Sequence, residues 1–213
     1  TAAAVGIGAA FFTANRSFPG KRFILSLSAV PLCVPSLIIA LGFVAVFGIN
    51  GTLNSILIKI FHLKNAPLSF LYSTAGIVIV QGFYNFPLVT AVVSAFWETL
   101  SPVKRDAARM LGANERRIFF TVTLHELPPA IAAACVPVFL YCFFSFMIVL
   151  LFGSPGSSTL ETEIYRAARA SLDFKTAATL ALIETMCAMT VLFVYGACRS
   201  TQERGTAEYM EKK

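Results

Sequence analysis

Residues 101–129 read SPVKRDAARMLGANERRIFFTVTLHELPP, the one long charged interruption in an otherwise apolar chain. Ser101 offers a hydroxyl to the free N–H groups of a helix start, and Pro102 is tolerated at the first helical position. A short helix over 104–111 is therefore expected. Gly112 predicts its end, because glycine enters the left-handed conformation that closes a helix C-terminus. Asn114 then predicts the cap of a second helix running through Ile118 and Val122. The expected result is helix, tight turn, helix, lying outside the hydrocarbon.

The flanking composition sets the environment of that loop. Of 213 residues, 57% are hydrophobic and 13% charged, with a mean hydropathy of +0.74. That is too apolar for a soluble domain. The net charge of +6 does not point to nucleic acid, because the cations sit at the ends of apolar runs, where they report topology. Thr1 lies inside an apolar stretch with no basic segment before it and no small-residue cleavage site, so the reading is a truncated first helix and not a signal peptide.

An all-α, polytopic helical bundle of about five spans follows. Residues 1–14 are the tail of the first span, ending at Asn15-Arg16. Residues 23–48 are uncharged and exceed the ~20 helical residues that cross a bilayer core. Pro31 and Pro35 predict a kink there. Asn50-Gly51 marks a turn, and 54–63 a short, partly amphipathic segment. The next span is expected from about Ser69 to Trp97-Glu98, an interfacial aromatic beside a charge. A further span covers 130–152, interrupted by Pro137 and broken by Gly153-Ser154-Pro155-Gly156. Ser158 with Glu161 reads as a capping box opening an exposed helix over 159–170. The last span runs from about Thr176 to Cys198.

Lysine and arginine distribute unevenly between the two sides. The turn at 15–22, the organising loop and the C-terminal tail carry twelve, whereas 49–68 and 153–175 carry five. By the positive-inside rule the loop and the C-terminus are cytoplasmic.

The loop resembles a known motif. Asp106-Ala107-Ala108, then Gly112, a basic and aromatic run and Leu127-Pro128 are similar to the cytoplasmic loop of binding-protein-dependent ABC importer permeases. Asp106 stands where that family has glutamate, and His125 where it has proline. The resemblance implies a single transmembrane domain over 1–213, with 98–129 as the loop that docks on a separate ABC ATPase subunit. Asp106, Ala107, Ala108, Arg109, Leu111, Gly112 and Arg116 are then the coupling residues. Ala108 and Gly112, four apart, are expected on one helical face where the absence of bulk admits another surface. The alternative is a lipid-lying amphipathic helix, with Arg116 and Arg117 on headgroups and Ile118, Phe119 and Phe120 in the acyl region.

The run 139–152, Gly153, Thr159-Leu160-Glu161, Glu163-Ile164-Tyr165 and 173–182 further resemble the iron and thiamine branch of these permeases, the thiamine type slightly more. In that branch one polypeptide commonly carries two such halves. The resemblance implies an inner-membrane permease half for thiamine or ferric iron, partnered by a solute-binding protein and by a second half, either fused or a second copy.

Polar residues within spans are costly and therefore informative. Gln81, Tyr84 and Asn85 cluster before Pro87, where they either face a pathway or bond to neighbouring helices. Glu184 is the only formal charge well within a span. It lines the pathway, pairs with the partner half or sits near the outer interface, and in the rival reading of an ion-coupled secondary transporter it carries the coupling proton.

No catalytic residue, cofactor or metal site is expected. Cys33, Cys135, Cys142, Cys187 and Cys198 occur singly in or beside apolar runs without ligand spacing, and His62 and His125 fall on opposite predicted sides. Pro19-Gly20-Lys21 is no phosphate loop, because Asn15 stands where the motif requires glycine.

Overall fold

A computed structural model describes residues 1–15, 19–100, 102–153 and 158–211, all of them in helices or their connections. The Ser101 cap and the break at Ser154-Pro155-Gly156 lie outside these residues. The chain divides into two compact units, Thr1–Ser157 and Ser158–Lys213.

The first unit is assembled around α5 (Thr74–Thr99), an unbroken helix of 26 residues. Its start follows a 3-10 turn at Phe70–Tyr72, and the Ser73 hydroxyl accepts the Gly76 N–H as a cap. The helix thus begins five residues later than Ser69, the turn having taken up the intervening chain. It runs straight through the buried Pro87.

Against α5 lies α1 (Ala2–Asn15). The buried face of α1 is Ala2, Gly6, Ala10 and Thr13, a small-residue stripe with a spacing of three to four that lets two backbones approach. The approach is close at Gly6, where a Cβ would stand 2.5 Å from the Cβ of Val89. Hydroxyls join the seam: Thr13 and Ser94 share a hydrogen bond of 3.2 Å, and Thr90 donates to the Gly6 carbonyl at 3.3 Å.

The single kinked span expected over 23–48 is instead two helices, α2 (Lys21–Cys33) and α3 (Ser36–Phe47). The cause is Pro35, which excludes its predecessor from the helical region: Val34 is extended, at φ −99° and ψ 134°. The long apolar stretch is Ser36–Phe61, which α3 and α4 (Thr52–Phe61) build together. Asn54 secures their corner. It is fully buried, donates to the carbonyls of Gly48 (2.9 Å) and Leu68 (2.8 Å), and accepts the Leu68 N–H (3.0 Å).

The loop region comprises α6 (Pro102–Met110), α7 (Glu115–Ile118), a π turn (Phe119–Thr123) and α8 (Leu124–Glu126), leading into α9 (Pro128–Phe143). Pro137 remains inside α9. The interruption comes later, at Phe144–Ser145, before α10 (Phe146–Phe152). Two apolar clusters stabilise the unit. One gathers Leu71, Val80, Ile148 and Phe152, the other Ala10, Val89, Val93, Trp97 and Leu127.

In the second unit, α11 (Leu160–Tyr165) and a π turn (Arg166–Ala170) precede α12 (Phe174–Glu211). The capping box falls one residue beyond the expected place: Thr159 is the cap and Thr162 its partner. Thr162 is buried and returns a bond to the Thr159 backbone, which leaves Glu161 free to point elsewhere.

Three helical stretches among the described residues are long and apolar enough to cross a membrane: Ser36–Phe61, Thr74–Thr99 and Phe174–Cys198. A fourth forms if Arg116–Glu126 and Pro128–Phe143, bent by 59°, act as one. The first expected span corresponds to the shorter helix Ala2–Ala14.

Candidate functional site

The loop is a hinged pair of helices tied to the bundle at its base. After α6, Gly112 takes φ +81°; its N–H bonds to the Arg109 carbonyl (2.9 Å), and the Ala113 N–H reaches back to Ala108 (3.0 Å). This pair of bonds is the Schellman closure, which demands a left-handed residue at the position of Gly112. Helix α6 therefore ends before Gly112, and the shared helical face expected for Ala108 and Gly112 does not exist. What joins the two positions is the Ala113-to-Ala108 bond. Asn114 caps α7 as expected, its side-chain oxygen accepting the Arg117 N–H at 2.9 Å.

Lys104 pairs with Glu126 and so links α6 to α8. Asp106 pairs with Arg109 one turn on, at 2.9 Å. Ala107, Arg116 and the turn itself are exposed, and the tip carries two apolar side chains in the open, Met110 at 90% and Leu111 at 88% exposure. Exposed apolar side chains rimmed by charge are the usual mark of a protein contact.

At the base of the loop, Ile118 is buried and Phe119 enters an aromatic cluster. The Phe119 ring stacks on Trp97 of α5, with centroids 5.9 Å apart, and meets Phe11 of α1 edge-on at 4.7 Å. Of the apolar trio that a lipid-lying helix would dip into the bilayer, only Phe120 is exposed. Lys21, at the start of α2, lies 3.7 Å from Glu98 at the end of α5, so these two helix ends meet beside the base of the loop.

The second feature is a cavity of about 190 Å³ within the first unit. Tyr84 and Asn85 of α5, Tyr141 of α9, the break residues Phe144 and Ser145, the start of α10 and Ser36 line it. It holds hydroxyls, an amide and aromatic rings, and no charged side chain. Asn85 is 1% exposed; its amide donates to the Gln81 carbonyl (2.9 Å) and to the Cys142 sulfur (3.5 Å), whereas its side-chain oxygen has no partner. An unpaired buried carbonyl costs free energy unless a donor reaches it. Of the four residues read as pathway candidates, Tyr84 and Asn85 meet here. Gln81 contributes its backbone carbonyl, and Glu184 belongs to the second unit. Tyr141, Ser145 and Ser36 were not singled out in the sequence; the helix break that brings them together carries no proline or glycine to announce it.

Residues 4–202 match the sequence profile of the family described as "Binding-protein-dependent transport system inner membrane component". The thiamine transport system permease protein ThiP of Brucella abortus is 32% identical over 192 residues, covering 90% of this chain and 34% of that protein. The putative 2-aminoethylphosphonate transport system permease protein PhnU of Salmonella typhi is 29% identical over 178 residues, covering 84% of this chain and 62% of that one. The chain thus spans about a third of the length of the thiamine relatives. A bacterial alginate ABC transporter, crystallised in complex with an alginate pentasaccharide-bound periplasmic protein, shares the fold with a TM-score of 0.72 at 17% identity, covering 90% of this chain and 69% of that one.

Proposed function

We propose, from the premise that this chain belongs to the family of binding-protein-dependent transport system inner membrane components, that it forms half of the translocation pathway of an ATP-driven importer. Loop 98–129 is the part that a separate ABC ATPase subunit grips from the cytoplasmic side. The observation that carries this reading is the loop's construction: an exposed apolar tip at Met110 and Leu111, and a base locked to α5 and α1 by the Trp97–Phe119–Phe11 cluster. A push on the tip therefore reaches the helices as displacement and is not lost in a slack connection. Membership of the family favours this over the ion-coupled transporter weighed from the sequence.

The cavity beside Asn85 is the part of the pathway that meets the solute. Its phenol and phenyl rings suit a flat or cationic group. That lining supports an amino-substituted ring such as thiamine, the solute named for the Brucella relative. It fits a ferric ion less well, since such an ion requires several anionic oxygens. A solute-binding protein delivers the solute from the outer face, and a second half, fused or a second copy, completes the passage.

The test is uptake by proteoliposomes containing the whole transporter, with Asn85→Leu and Tyr84→Phe beside the unmodified protein. Uptake should require ATP inside and survive collapse of the proton gradient. Asn85→Leu should lose uptake while still copurifying with its ATPase. Uptake abolished by an uncoupler at constant ATP would discard the importer reading, and an Asn85→Leu protein that transports normally would discard the cavity.

A further inference from the structure

The two apolar clusters of the first unit divide its elements between them. Ile77 and Val80 of α5 join Ala40 of α3, Leu71 and, from α10, Ile148, Val149 and Phe152. Val89, Val93 and Trp97, further along the same helix, join Ala10 of α1, Leu127 and Ala134 of α9, with Phe119 of the loop base packed against them. The start of α2 lies at this second end, where Lys21 meets Glu98. Close-packed cores resist continuous deformation, so each cluster holds its elements together as one body.

Each stretch that carries the described chain of this unit from one cluster to the other is weakened as a helix where it crosses. Between α2 and α3, Val34 and Pro35 are both non-helical, at ψ 134° and 137°. In α5, Pro87 stands between Val80 and Val89 and supplies no N–H to the carbonyl one turn back. Between α9 and α10, Ser145 takes φ −87° and ψ 76°, and the Phe146 N–H bonds to the Phe144 carbonyl at 3.1 Å. That is an inverse γ-turn, and no proline or glycine compels it. The three weak points converge on the cavity: Ser36 follows the first, Tyr84 and Asn85 precede the second, and Phe144 and Ser145 are the third. Interrupted backbone at membrane depth is tolerated where it is enclosed by protein or lines such a space.

We propose that the first unit is hinged at Val34–Pro35, Pro87 and Phe144–Ser145. The body that carries the loop base swings against the body that carries Leu71 and Phe152, and the cavity at their border opens or closes with the swing. That the swing serves transport rests on the importer reading above. A push on the loop enters through Phe119, which packs on the second cluster, so that body moves and the other lags. The solute-contacting residues lie where the two bodies meet, and a small rotation there alters the space around Tyr84 and Asn85.

The experiment measures spin-label distances in the permease freed of its native cysteines and assembled with its ATPase and binding protein in lipid nanodiscs. Cysteines replace exposed residues of each body: Val46 on α3 and Leu150 on α10 for one, Val5 on α1 and Ala132 on α9 for the other. Each pair is compared between the nucleotide-free complex and the complex trapped with ATP and vanadate, and singly labelled protein gives the background from any second copy. At the helical rise Val46 lies about 15 Å beyond Ser36, so a swing of about 20° should shift the Val46–Ala132 distance by roughly 5 Å. The pairs Val46–Leu150 and Val5–Ala132, each within one body, should keep their distances. Pro87→Ala returns an N–H to the α5 ladder; it should shrink the shift by half or more and lower the ATPase turnover that the binding protein stimulates. The hinge is overturned if a complex that retains trapped nucleotide keeps the Val46–Ala132 distance of the free one. It is also overturned if a pair within one body changes as much, or if Pro87→Ala shows the full shift. A complex that never traps nucleotide overturns the importer reading, and the hinge's part in transport falls with it.

Discussion

Gly112 offers a graded test of the loop. Its φ of +81° is imposed by the Schellman closure on Ala108 and Arg109. A Cβ built there meets nothing within 4 Å, so the cost of substitution is conformational and not steric. For a residue bearing a Cβ that cost is about 1–2 kcal/mol, with branched side chains at the upper end and asparagine near the lower. Because 1.4 kcal/mol corresponds to about tenfold in an equilibrium constant, the population with α6 and α7 correctly set should fall by roughly 5- to 30-fold. The order expected for ATPase copurification, and for stimulation by loaded binding protein, is Gly112, then Gly112→Asn, Gly112→Ala and Gly112→Val. The membrane helices are untouched, so all variants should accumulate. Gly8→Ala is the control: that glycine also has open space, lies within α1 and has no left-handed backbone, so the change should be silent. Equal coupling in Gly112→Val and the unmodified protein would refute the role given to this turn, and loss in Gly8→Ala would show that the assay reads something else.

Phe119→Leu should remove about 0.5–1.5 kcal/mol of aromatic contact and lower transport per ATP hydrolysed, as measured in proteoliposomes, with ATPase binding intact. Asn54→Ala leaves the Leu68 carbonyl and N–H without their partner, the Gly48 carbonyl keeping the Gly51 N–H, and should cost roughly 2–3 kcal/mol, seen as faster proteolysis within 62–69. The Thr176 hydroxyl and backbone N–H hold the Asp173 carboxyl below its ordinary range. A depressed folded-state value gives stability that is present above the unfolded value and lost as pH falls through the folded one. The protection of amides at the start of α12 relative to their intrinsic exchange rates should therefore fall on acidification below the ordinary carboxylate range, and Asp173→Asn should remove that dependence. Ala113→Cys should react with an impermeant thiol reagent only in opened cells, and Lys64→Cys in intact spheroplasts, each in a protein lacking its native cysteines; the reverse pattern would overturn the orientation.

The loop was legible because its signals are local. Gly112 and Asn114 each determine their own backbone, and both behave as their side chains dictate. Pro35 was read as a kink and made a break, because its effect falls on Val34, which takes extended backbone. The break at Phe144–Ser145 had no local sign at all, since phenylalanine and serine are ordinary helix residues and only packing decides there. The capping box was displaced by one residue because two hydroxyl residues compete at 158–159, and Thr162 settles the competition by being buried. Tyr84 and Asn85 of the cavity were visible as polar residues in a span. Tyr141 and Ser145 were not, because their meeting with Asn85 depends on contacts across the sequence.

The seam between α1 and α5 sets an order of events during synthesis. Its two sides are separated by the chain from Asn15 to Thr74, so α1 is made well before the surface that Gly6 and Ala10 fit. At ordinary rates of translation that interval is roughly 3–12 s. For its duration the small-residue face of α1 has not yet met α5 and is open to any helix with a similar face. A newborn copy is thus most vulnerable to mispairing before α5 arrives, and least so once Val89 has closed over Gly6.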